Sequence, residues 1–210
     1  TTSITIQSNG VLSLGFYHIR RTKEYLHRMY VSSPLHQESK QHILEKLFLE
    51  SNRFLGELGV EYWLNYGTLL GYYRSKSLIP HDIDIDFGAR ENDVERIWEH
   101  RNKLPKGFTM YDSSNRHYGP KLYISYKGFD ADIYFYDEQE TFFEPYEKTH
   151  WKNYRIPIPR SCIIPLEPVT FLGQPTYIPK EPLTYLRTFY GSLAEDAVRN
   201  PDSGLWEKNE

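Results

Sequence analysis

From residue 79 to 88 the chain reads Ile79, Pro80, His81, Asp82, Ile83, Asp84, Ile85, Asp86, Phe87, Gly88, with acidic and apolar residues in strict alternation after His81. In an extended strand successive side chains point to opposite faces. Asp82, Asp84 and Asp86 are therefore expected on one face, with Ile83, Ile85 and Phe87 buried on the other. Carboxylates two residues apart in a strand sit roughly 6.5 to 7 Å from one another. A divalent cation between them turns their repulsion into coordination. A second strand repeats the pattern, because Phe129, Ala131, Ile133 and Phe135 alternate with Asp130, Asp132, Tyr134 and Tyr136. Two such strands side by side pool several carboxylates, an all-oxygen donor set that suits Mg²⁺ or Mn²⁺ and places it against phosphate oxygens.

A turn upstream points to the same chemistry. Val60, Tyr62 and Leu64 alternate with Glu61, Trp63 and Asn65, which reads as a strand running into Tyr66, Gly67 and Thr68 and then a short helix over 69–74 with Thr68 as its cap. Glycine admits a close ligand there, and a helix N-terminus offers free N–H groups to a phosphate. An ordinary capped strand-to-helix turn has the same appearance.

The remaining chain supplies the frame. Leu44, Leu47, Phe48, Leu55 and Leu58 form one stripe of an amphipathic helix over 37–59, with Gly59 as its stop. Asn92 or Asp93 caps a second helix carrying Val94, Ile97, Trp98 and Arg101. Strands over 121–126 and 129–136 flank Lys127 and Gly128, a two-residue hairpin connection. Prolines 157, 159, 165, 168, 175, 179 and 182 predict extended pieces wrapping a surface. A last helix has Pro182 in its first turn, Leu183, Leu186 and Tyr190 on its inner side, and Gly191 as its stop. Without a regular βαβ rhythm, the class is α+β around a mostly non-parallel mixed sheet with flanking helices. The expected organisation is an extension or helix over 1–36, a catalytic domain over 37–195 and a tail over 196–210.

Composition removes several alternatives. A net charge of −3 lacks the basic surplus that non-specific nucleic-acid binding draws on. One cysteine, Cys162, permits no internal disulfide, and the eight histidines show no zinc-finger spacing. The longest apolar runs fall short of the ~18 residues of a membrane span, and residues 1–10 are polar rather than signal-like. Membrane association is expected only through a removed N-terminal segment or a lipid-linked acceptor. The 18 Tyr, 11 Phe and 4 Trp have to be placed in a core or against a ligand.

The run Tyr62-Trp63-Leu64-Asn65-Tyr66-Gly67-Thr68-Leu69-Leu70-Gly71-Tyr72-Tyr73-Arg74, followed by Ile79-Pro80-His81-Asp82-Ile83-Asp84-Ile85-Asp86, closely resembles the signature of the LicD family. That family includes bacterial phosphocholine transferases and the eukaryotic fukutin and fukutin-related proteins. Asp132 sits where the family has a later strand carboxylate, and residues 179–191 look like its closing motif, so the likeness covers about residues 40 to 195. It implies a nucleotidyltransferase-like fold in which Gly67 and Thr68 form the turn, Asp84 and Asp86 the D-x-D pair and Asp132 the third acid. It also implies transfer of a phosphorylated group from a CDP-linked small-molecule donor, such as CDP-choline or CDP-ribitol, to a hydroxyl of a glycan or glycolipid. The family often has Trp before its first acid and Asp after it, where this chain has His81 and Ile83. The single cysteine leaves no room for the zinc-binding insert of fukutin-related proteins.

The expected assignment gives Asp84, Asp86 and Asp132 the metal and the catalysis, with Asp132 orienting or deprotonating the acceptor hydroxyl. Gly67, Thr68, Arg74 and Lys121 are expected at the phosphates, and Arg155 and Lys180 are further cations to test. Asp82 either fixes Arg74 or ligates, Asp130 either joins Asp132 or faces solvent, and His81 is either structural or a neighbour of the site. Tyr118, Tyr123 and Tyr134 either stack on a base or sugar or pack across the hairpin. Two rival classes are a true nucleotidyltransferase and a non-catalytic glycan-binding protein on the same fold. By the resemblance, bacterial members work in the cytoplasm and eukaryotic ones in the Golgi lumen.

Overall fold

The computed structural model describes residues 37–208 other than 118, 147–155 and 195. The segment 1–36, Tyr118 and Arg155 lie outside the described residues. The first described element, α1 (Gln37–Leu58), ends at Gly59, whose φ of 62° needs a residue without a side chain. Its stripe is buried as the spacing requires, with Leu44, Leu47, Phe48 and Leu55 at 0% exposure.

A seven-stranded sheet carries the rest of the fold. Its main path runs β1 (Tyr62–Leu64), β2 (Asp84–Arg90), β5 (Phe129–Glu138), β4 (Lys121–Tyr126), β3 (Phe108–Asp112), and β6 (Phe142–Pro145) joins β5 to β7 (Ile158–Pro159). Among the described strands of this sheet only β2 and β5 pair in parallel and the other pairings are antiparallel, so the sheet is mixed and the class is α+β. The β4–β5 hairpin turns on Lys127 and Gly128 with φ of 48° and 85°, the positive values that a tight two-residue connection demands.

One face of the sheet packs on α1, where Phe48 lies 6.0 Å from Phe87 between ring centroids. Against the other face lie α2 (Tyr66–Ser75) and α6 (Pro182–Tyr190), which also contact each other. The short α3 (Val94–Glu99) has Asp93 at its N-cap position, α4 (Ser114–His117) precedes β4, and α5 (Arg160–Ile163) packs against α6. Part of the proline-rich third forms a hairpin, β8 (Glu167–Phe171) with β9 (Gln174–Ile178), seated beside β1 through Tyr62 and Tyr177 at 5.9 Å. Near the C-terminus β10 (Val198–Arg199) pairs with β11 (Trp206–Glu207).

Four sequence expectations are corrected. The acidic strand begins at Asp84, so Asp82 precedes it in a turn and Ile83 is 42% exposed rather than buried. The helix after β1 starts at Tyr66 and is capped by Asn65, not Thr68, because the Asn65 side chain accepts the Tyr66 N–H. Strand β1 is buried on both faces, since Trp63 packs on Tyr136 and Phe143 while Tyr62 packs on Phe87. The inner side of α6 is Tyr185, Leu186 and Phe189, with Leu183 and Tyr190 only half-buried.

Many of the aromatic residues are thereby spent on the core, Trp63 the largest of them. Its indole lies where a side chain at Gly88, its cross-strand partner, would stand. Gly88→Ala should therefore lower unfolding free energy by about 1–3 kcal/mol, the usual cost of overpacking, measured by denaturant titration against the unaltered chain.

Candidate active site

Parallel pairing puts the two acidic strands in register, Asp84 opposite Asp130 and Asp86 opposite Asp132. Side-chain alternation turns all four to the same face. Asp84, Asp86 and Asp132 each offer a carboxylate oxygen, and these oxygens lie within 4.8 Å of one another. Asp130 neighbours this trio along β5 without belonging to it.

Asp86 is the most deeply placed, at 6% exposure. Burial, then the charges of Asp84, Asp132 and Asp82, push its carboxyl well above the usual carboxylate range, while Lys121 opposes the rise. The α2 turn answers from the other side. Gly67 N–H donates to Asp86 Oδ2 at 3.1 Å, and the Asp86 N–H donates to Thr68 Oγ1 at 2.9 Å. Thr68 thus ties helix to strand instead of capping.

Gly67 has a steric reason as well. A Cβ there would stand 2.6 Å from Asp82 Oδ2 and 3.4 Å from Asp86 Oδ2. Asp82, although outside the strand, therefore lies against the turn, its Oδ1 accepting the Ile83 N–H at 3.1 Å. His81 is exposed in the preceding turn.

Behind the turn is a buried polar network that the sequence reading did not single out. Asn65 Oδ1 accepts from the Tyr66 N–H at 3.0 Å and from the Tyr185 hydroxyl at 2.8 Å, while Asn65 Nδ2 donates to the Tyr136 hydroxyl at 3.0 Å. Trp63 Nε1 donates to the Tyr185 oxygen at 3.1 Å. These bonds hold Tyr66 at a φ of 34°, a conformation rare for a residue with a side chain. Its ring is clamped edge-on by Tyr134 at 4.7 Å and Phe189 at 4.9 Å. Asn65 stands directly before the helix, so a cap placed one turn earlier would have revealed it.

Of the cations, Lys121 reaches the acids: its Nζ lies 3.5 Å from Asp132 Oδ1 and 2.9 Å from the centre of the Tyr134 ring. The Tyr134 hydroxyl donates to Asp132 Oδ2 at 3.4 Å. Beside them is a small recess, no larger than a water molecule needs, lined by Tyr66, His117, Lys121, Tyr134 and Tyr146 among others. Tyr123, in register with Asp132, stacks at 5.1 Å on Tyr111 of β3, across the β3–β4 pairing rather than the β4–β5 hairpin. Arg74 is directed elsewhere, donating to the Leu193 carbonyl at 2.9 Å, and Lys180 is exposed ahead of α6.

A divalent cation fits this donor set. The donors are hard oxygens, and two oxygens on one Mg²⁺ at about 2.1 Å stand at most about 4.2 Å apart, within a small side-chain rotation of the spacing here. Burial first, and then the neighbouring acids, disfavour the charged form of Asp86, and a cation among the carboxylates would favour it.

Residues 59–181 match the model of the LicD/FKTN/FKRP nucleotidyltransferase domain. The chain belongs to the LicD family. Human ribitol-5-phosphate transferase FKTN is 27% identical to this LicD-family chain over 165 residues, 74% of this chain and 33% of that protein. Human ribitol 5-phosphate transferase FKRP is 26% identical over 152 residues, 68% of this chain and 29% of its own. An uncharacterized protein of Rickettsia typhi is 36% identical over 56 residues, 27% of this chain and 18% of its own. The chain thus spans about a third of the length of the human relatives it matches.

Two outcomes follow for this family member. Gly67→Ala, by forcing Asp82 and Asp86 apart from the turn, should weaken Mn²⁺ binding about tenfold or more, read by calorimetric titration. Tyr185→Phe removes the hydroxyl that Trp63 and Asn65 share and should cost about 1–3 kcal/mol of stability, read by chemical denaturation.

Proposed function

We propose that this chain is a metal-dependent phosphotransferase that moves a phosphorylated alcohol from a CDP-linked donor to a hydroxyl of a glycan or glycolipid and releases CMP. The observation that carries the reading is the convergence of Asp84, Asp86 and Asp132 beside the Gly67 turn, in a chain of the LicD family. The names of the FKTN and FKRP relatives, both ribitol phosphate transferases, give the class of group transferred.

Asp84, Asp86 and Asp132 would hold Mg²⁺ or Mn²⁺, which when bound draws negative charge from the phosphate oxygens. The protein's own part is alignment, because phosphoryl-type transfer asks for little covalent help. Gly67 and Thr68 fix the depth of Asp86 through the two hydrogen bonds that join α2 to β2. Lys121 adds an ammonium beside Asp132. Asp132 orients the acceptor hydroxyl and receives its proton as the acceptor oxygen bonds to phosphorus and the bond from that phosphorus to the CMP oxygen breaks.

The test is release of CMP from CDP-ribitol, CDP-choline and CDP-glycerol with a glycan acceptor and Mg²⁺ or Mn²⁺. One donor should turn over, chelation should stop it, and Asp84→Asn or Asp86→Asn should lower the rate about 100-fold or more. Full turnover in either variant would sink the reading. Radiolabelled cytidine carried into the product would establish nucleotidyl transfer instead, and glycan binding without CMP release from any donor would establish a binding protein.

A further inference from the structure

Lys40 occupies a position where α1 calls for an apolar residue. It stands three, four and seven residues before Ile43, Leu44 and Leu47, on the stripe that the helix presses against the fold, and it is 2% exposed. Burial lowers its pKa from the usual lysine range, and the negative charge of Asp82 opposes that fall. An ammonium so placed is costly unless it meets acceptors. Among the described residues its hydrogen-bond acceptor is the Pro80 carbonyl, 2.7 Å away and 40 residues downstream.

That carbonyl belongs to the turn that delivers Asp82. The Asp82 N–H closes the turn on the Ile79 carbonyl at 3.0 Å. Asp82 then sets one carboxylate oxygen on the Ile83 N–H and turns the other to the space over Gly67. Residues 79–83 contain no helix or strand, so the ladder of β2 does not hold them. Lys40 bonds to the middle of this stretch from a different element.

We propose that Lys40 is a positioning residue: bonded to the Pro80 carbonyl, it holds the 79–83 turn so that the Asp82 carboxylate stays against Gly67, beside the trio of acids. For its effect on metal, the inference rests on the proposed function of that trio. Asp82 belongs to the electrostatic neighbourhood of Asp86, and Lys40 keeps it there. Lys40 also lies outside residues 59–181, so this support comes from beyond the stretch that matches the family.

The experiment uses the whole chain in four forms, unaltered, Lys40→Met, Asp82→Asn and the double variant, with two readings. Hydrogen–deuterium exchange without metal reports the turn itself: in Lys40→Met the amides of Asp82 and Ile83 should exchange about tenfold faster while those of β5 keep their protection. Titration with Mn²⁺ alone reports the consequence: Lys40→Met and Asp82→Asn should each weaken binding about fivefold, and the double variant should be no weaker than Asp82→Asn, because the two act through one carboxylate. Lys40→Gln keeps an N–H donor on a stem one bond shorter and should stay near the unaltered chain in both readings. Unchanged exchange at Asp82 and Ile83, tighter Mn²⁺ binding in Lys40→Met, losses that multiply in the double variant, or a Lys40→Gln as open as Lys40→Met would each overturn the proposal. If the unaltered chain bound no Mn²⁺, the metal reading would fail by itself, and the exchange reading would still decide whether Lys40 holds the turn.

Discussion

Carboxylates brought within 4.8 Å of one another repel, and the arrangement of this chain is organised around keeping Asp84, Asp86 and Asp132 together. Parallel pairing of β2 with β5 imposes their proximity through backbone hydrogen bonds, which are indifferent to side-chain charge. Partial positive charge is then supplied from two directions. The first turn of α2 offers the Gly67 N–H together with the favourable end of the helix dipole, and β4 offers the Lys121 ammonium. Burial and the neighbouring acids nonetheless push the Asp86 carboxyl above the usual range. A cation among these oxygens would favour their charged forms.

Much of this was legible in the sequence because it depends on local periodicity. The stripe of α1, the β4–β5 hairpin and the alternation that turns Asp84 and Asp86 to one face follow from spacing alone, whereas Asp132 was joined to them by the family resemblance and is brought there by the parallel pairing of β2 with β5. The alternation misled at one end: nothing in the run from 82 to 88 marks where pairing begins, and β1, only three residues long, cannot extend the ladder back to Asp82. Ile83, expected in the core, is left exposed for the same reason.

What escaped was set by contacts between distant residues. Asn65 looked like a strand residue until Tyr136 and Tyr185 converged on it. Lys40 carried a signal that could have been found, since helical spacing places it on the apolar stripe, but its acceptor is a backbone carbonyl and no residue type announces one. Arg74 shows the opposite error. Lying in the signature run, it invites a phosphate role, yet its guanidinium is engaged with the Leu193 carbonyl. Charge and proximity in sequence identify candidates, and only the third dimension aims them.

The bond from the Tyr185 hydroxyl to Asn65 joins residues 120 positions apart. A chain emerging from the ribosome can complete β1, α2 and the acidic strands well before Tyr185 exists. During that interval the turn bearing Gly67 lacks the hydroxyl that orders its cap, and the acids face one another without a finished cradle. Synthesis of the closing helix thus completes the cap, and a polypeptide cut short before residue 185 would keep the β2–β5 pairing that brings the acids together while lacking one of the bonds that order the Gly67 turn beside them.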